Sequence, residues 1–109
     1  MSSPSIPAGG VIRVSRATFD PSQLAEVEQM LRHTSTYLSP AIGRLDGLLG
    51  YYAGASPEGS VVAVSLWDSD AHASQMGNLK EMTVDARKEA EAVGVTLPTI
   101  VNHPLVWQI

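Results

Sequence analysis

Apolar residues recur along this chain in two periods, and the points where one gives way to the other divide it into elements. VIRVSRATF (Val11–Phe19) is rich in β-branched residues and reads as a strand. From Asp20 the spacing lengthens to that of a helix. Leu24, Val27, Leu31, Thr34 and Leu38 fall on one stripe, with Met30 and Tyr37 beside it. Asp20 is placed to cap this helix and Pro21 to begin it, while Pro40 is expected to end or kink it near Leu38. Two further apolar runs, LLGYYAG from Leu48 and VVAVSLW ending at Trp67, flank the turn ASPEGS, so they predict a hairpin. Ser69 then caps a second helix in which His72, Met76 and Leu79 fall at i, i+4 and i+7, with Gly77 expected to weaken or split it. KEMTVDARKEAEAV continues helical, with Met82, Ala86, Ala90 and Val93 as its stripe, and Gly94 stops it. PTIVNHPLVWQI closes the chain as a fourth strand, where Pro104 suits an edge or a bulge.

The order β-α-β-β-α-β is the split βαβ of a ferredoxin-like plait, an α+β fold with an antiparallel sheet. The third strand offers Val62, Val64 and Leu66 to one face and Val61, Ala63, Ser65 and Trp67 to the other, so neither face is patterned for water. Two helices cover one face of a four-stranded sheet. The other must meet something, and a second copy of the same face is the simplest partner.

Composition narrows the function classes. With 44% hydrophobic and 17% charged residues over 109 positions, one globular domain is expected at 11–109, preceded by a Ser/Pro/Gly-rich arm at 1–10 that lacks the features of a signal peptide. No cysteine is present, which excludes disulfides, thiol nucleophiles and iron–sulfur ligation and is compatible with a cytoplasmic setting. A net charge of −4 without a basic cluster argues against nucleic acid, and no apolar run reaches the ~20 residues of a membrane-spanning helix. The three histidines are far apart in sequence and form no metal-ligand spacing, so no metal is expected.

A chain of this length and order, whose third strand ends in SLWDSDAHAS and whose last ends in an aliphatic–Trp run, resembles the dimeric α/β-barrel superfamily and within it the antibiotic-biosynthesis-monooxygenase-like proteins. The resemblance implies a homodimer through sheet faces, a pocket between each sheet and its own helices, and a tryptophan at the Trp67 position pointing into that pocket. It implies cofactor-free oxygenation of an aromatic or quinol-like compound, the alternative being a non-catalytic ligand-binding or stress-response protein of the same fold. The haem-degrading branch is disfavoured, because the first strand has no asparagine and the expected histidine is replaced within QMGNLKEM.

The candidate chemistry gathers around Trp67. Ala63 and Ser65 are small and share its face, so volume is expected above them. His72 shares a helix face with Met76, which makes it the candidate proton handler, neutral near a helix N-terminus. Trp67, Ser65, Met76 and Tyr51 are the candidate ligand contacts. Arg13 and Arg16 alternate in face, as do Tyr51 and Tyr52, and the sequence leaves open which of each pair turns inward. His33 reads as solvated, and the role of His103 stays open.

Overall fold

The computed structural model describes residues 5–109. Strand β1 (Val11–Thr18) leads through a 3-10 turn (Pro21–Gln23) into helix α1 (Leu24–Gly43). The hairpin β2 (Leu48–Ser56) and β3 (Ser60–Trp67) follows. The second helical segment is broken: α2 (Asp70–Ala73), a 3-10 stretch (Ser74–Asn78), a π-helical stretch (Glu81–Ala86) and α3 (Arg87–Ala92). Strand β4 (Thr99–Pro104) ends the sheet, whose order is β2-β3-β1-β4 with every pair antiparallel. This is the ferredoxin-like plait that the element order predicts. Among the described residues no helix is long and apolar enough to cross a membrane.

Two expectations are corrected. Asp20 caps the 3-10 turn, its carboxylate accepting from the Ser22 N–H at 3.0 Å, and α1 starts one turn later. Pro40 sits inside α1 and does not end it. A mid-helix proline costs roughly 3 kcal/mol, but Ala41 and Ile42 just beyond it are 2% and 3% exposed, and burying those side chains offsets a cost of that size. The proposed arm reaches only in part into the described residues, since 1–4 lie outside them. Ile6 is buried and tied to the C-terminal tail: its N–H donates to Gln108 Oε1 at 2.9 Å, and Gln108 Nε2 donates back to its carbonyl at 2.7 Å.

The register fixes the two faces. Tyr52, Val64, Val14 and Val101 form one row across all four strands on the face without helices, next to a row containing Leu66, Ile12 and His103. Tyr52 is 61% exposed and Val101 45%. The opposite face carries Val11, Arg13, Ser15 and Ala17 of β1 against Trp67, Ser65, Ala63 and Val61 of β3, and the helices lie over it. Its core is in two parts. Val11, Leu38, Ile42, Trp67, Ala73, Met76 and Ala86 pack at one end. Ala17, Phe19, Val27, Met30 and Val95 pack at the other. Helix α1 contributes to both.

Candidate functional site

Between the two core clusters the sheet presents small side chains, Ser15 on β1, Ala53 on β2 and Ala63 on β3, and the helices above do not sink to meet them. A cavity of about 680 Å³ remains, floored by these residues and Ser65, and roofed by Met30, Leu38, Met76 and Met82 among others. The volume expected above Ala63 and Ser65 is therefore there. Ala53 and Ile100 line it and are exposed, so it opens at the outer strands.

A polar row crosses the deep part of the floor. Tyr51 pairs with Ser65, Ser65 with Arg13, and Arg13 with Asn102, one residue from each strand in register. The inward members of the two ambiguous pairs are thus Arg13 and Tyr51. Arg16 and Tyr52 lie on the outer face. Arg13 Nη1 donates to Asn102 Oδ1 at 2.9 Å, and Asn102 Nδ2 donates to Asp70 Oδ1 at 3.0 Å, so the guanidinium is held from a helix start through an amide. Burial lowers the Arg13 pKa, opposed by Tyr51 and by Asp70. Burial also raises the Tyr51 phenol above its ordinary value, against the pull of Arg13. Tyr51 is consequently a neutral hydrogen-bonding phenol at neutral pH.

Ser65, Met76 and Tyr51 line the cavity; Trp67 and His72 do not. Trp67 is 0% exposed, and its indole N–H donates to Ser65 Oγ at 2.8 Å from inside the core cluster. The ring is a plug in the core cluster at one end of that face, beyond Ser65, and, contrary to what the resemblance implies, does not point into the cavity. The expected place of His72 on the roof is corrected too, for a geometric reason. Helix α2 is one turn long and passes into a 3-10 stretch, where residues three apart eclipse. Ala73 and Met76 share the inner face on that spacing and are both buried, which leaves His72 off it. Its Nδ1 lies 2.6 Å from Asp68 Oδ1, and its side chain is 41% exposed. The pair folds over Gly47, which has φ +76°, and a Cβ there would lie 2.3 Å from Nδ1 of His72. Since both side chains are well exposed, His72→Ala is expected to cost about 1 kcal/mol or less in urea denaturation and to leave ligand binding unchanged. A lost ligand affinity in that variant would return the histidine to the site.

Residues outside the sequence expectation complete the site. Asn102 becomes visible only through the β1–β4 register. Arg87 reaches the cavity because the preceding stretch is π-helical, which brings i and i+5 onto one face and sets it beside Met82. Arg32 and Glu91 also line the cavity. Elsewhere the Tyr37 hydroxyl donates to the Glu89 carboxylate at 2.5 Å and His33 Nδ1 lies 2.7 Å from it, a cluster in which only His33 is exposed and which lies away from the floor. Among the described residues, no group of three or more His, Asp or Glu side chains stands together to hold a metal ion.

No protein-family model matches the chain, and no curated protein matches it. Solved structures do. The monooxygenase from the gene ActVA-Orf6 of Streptomyces coelicolor, in complex with the ligand nanaomycin D, superposes with a TM-score of 0.68 at 19% identity, covering 94% of this chain and 93% of that one. A variant of SnoaB, a cofactor-independent oxygenase from Streptomyces nogalater, gives 0.61 at 18% identity over 94% and 98%. A dimeric ferredoxin-like protein from an uncultured marine organism gives 0.65 at 14% identity over 93% and 91%. The chain has the fold of the antibiotic-biosynthesis-monooxygenase-like and dimeric ferredoxin-like proteins.

Proposed function

We propose that this protein binds an aromatic, quinol-like small molecule in the cavity between sheet and helices and oxygenates it without a cofactor. The observation that carries the reading is the cavity itself, of about 680 Å³, with apolar walls and one polar row at its floor. Pockets of this size take a ligand of two or three fused rings, the walls supplying affinity and the few polar groups orientation. Two proteins of the same fold are an oxygenase that is cofactor-independent and a monooxygenase seen with nanaomycin D. In such a reaction a phenol and O2 give a quinone and water. One oxygen atom enters the ring and the other leaves as water, and all four electrons come from the substrate. The protein's part is to hold the phenol oxygen against Tyr51 and Ser65 and to keep bulk water from the ring.

A second reading, binding without turnover, is favoured by the position of His72. With that ring on Asp68, the polar groups that line the floor are a neutral phenol, hydroxyls and a guanidinium, none of them a base at neutral pH. An oxygen electrode separates the two. With 1-naphthol as probe, oxygen uptake above the autoxidation rate, with one atom of 18O2 in the naphthoquinone formed, is expected. Saturable binding of 1-naphthol without uptake would leave the second reading.

The same proposal includes a partner. A second copy covers the outer sheet face, as the apolar row through Val64 and the dimeric state of a protein of the same fold suggest.

A further inference from the structure

The charge on the cavity does not match the charge on the chain. The chain carries a net −4 and five arginines, yet three of the five, Arg13, Arg32 and Arg87, line the cavity with Glu91 as the sole carboxylate among its lining residues. Positive charge concentrated around an apolar hollow draws anions to it. Arg13 is the member at the floor. Among the described residues no carboxylate lies within 4.0 Å of its guanidinium, which donates instead to the neutral amide of Asn102. A guanidinium offers five N–H donors in a fork that fits a pair of oxygens. The Asn102–Asp70 chain fixes one edge of that fork, so the remaining donors keep one orientation. Asp70 is exposed at the helix start and reaches the arginine only through the amide, so it orients the charge without neutralising it at contact distance.

We propose that the cavity selects organic acids: a ligand with an apolar, aromatic body and one oxyanion, which Arg13 receives. Asn102 is a positioning residue for that contact. The assignment rests on the ligand-binding part of the proposed function and names its substrate class. An ionised phenol and a carboxylate share the chemistry.

The experiment is a set of titrations under nitrogen, so that binding is read whether or not oxygen chemistry follows. 2-Naphthoate and the neutral 2-naphthalenemethanol have nearly the same body and differ in the anion. The wild-type protein is expected to hold the acid about tenfold or more tighter than the alcohol, the scale of a charge-assisted contact. Arg13→Gln should remove that preference while leaving the alcohol's affinity within about twofold, and Asn102→Ala should lower the preference in part. If Arg13→Gln does not fold, Arg13→Lys carries the test, because it keeps the charge but loses the fork and should reduce the preference. 4-Nitrophenol, which ionises near neutral pH, reads the second source: below its own ionisation its yellow phenolate absorbance should rise on binding, and should not rise with Arg13→Gln. A naphthoate preference without that rise assigns the site to carboxylates, and both together extend it to phenols. Equal affinity for acid and alcohol, no binding of the acid, or an Arg13 variant that weakens both probes alike overturns the assignment. Absent oxygen uptake with an intact acid preference would sink only the oxygenase reading.

Discussion

Val64→Lys is expected to turn a dimer into a monomer or an unfolded chain. Val64 stands in the middle of the outer face, in one row with Tyr52, Val14 and Val101. In a single chain that row is only partly covered, and a lysine there could keep its ammonium in water. Against a second copy it could not. A two-fold interface repeats each substitution, so two lysines would approach each other in an apolar layer. Burying a charge without a partner costs on the order of 3 kcal/mol or more even after relaxation, which is at least a hundredfold in the dissociation constant. Sedimentation or light scattering at micromolar concentration reads the result. A wild-type protein that is folded and monomeric there, or a Val64→Lys protein that dimerises as tightly as wild type, would remove the partner from the proposal.

The second large effect belongs to Trp67. Its ring has no exposed surface and packs with Val11, Leu38, Ile42, Ala73, Met76 and Ala86. Trp67→Ala should cost roughly 3–5 kcal/mol through lost burial and the void left behind. The substitution also strips the Ser65 hydroxyl of its indole donor, in a residue that is 3% exposed. For a domain of this size such a loss lowers the melting temperature by about 15–30 °C, a large share of a typical stability of 5–15 kcal/mol. Trp67→Phe keeps most of the ring and loses the N–H, so it should fall in between. A melting temperature within a few degrees of wild type for Trp67→Ala would mean that the ring is not the plug described here.

The elements were readable because each has its own period and its own punctuation. β-branched runs, the hairpin turn at Gly59, the cap at Ser69 and the stop at Gly94 all act within a few residues. The small residues at Ala63 and Ser65 likewise announced the cavity, since missing volume is a local property of a strand. What could not be read depends on partners distant in sequence. Arg13 and Arg16 are alternatives until β1 is registered on β3. Tyr51 and Tyr52 are alternatives until the irregularity between Leu48 and Gly50 sets the phase of β2. The α-helical spacing that puts His72 on a face with Met76 does not hold through a stretch that winds as 3-10. Arg87 falls outside the i, i+4 stripe, and only the π-helical turn before it brings it to the cavity. Pro40 signals an end or a kink in sequence, because the burial that holds the helix beyond it, at Ala41 and Ile42, is tertiary.

The division of the core into two clusters with a hollow between them has a thermodynamic consequence. An apolar occupant would touch both clusters and complete a single continuous interior, so it would act as a missing part of the hydrophobic core as well as a ligand. Any molecule that binds only the folded chain adds RT ln(1 + [L]/Kd) to its stability. Here the added contacts would also join two packing units that are otherwise linked by α1, by the π-helical stretch running into α3, and by the sheet. Under the proposed function, occupancy would therefore raise folding cooperativity as well as stability, and resistance to unfolding would report an occupant.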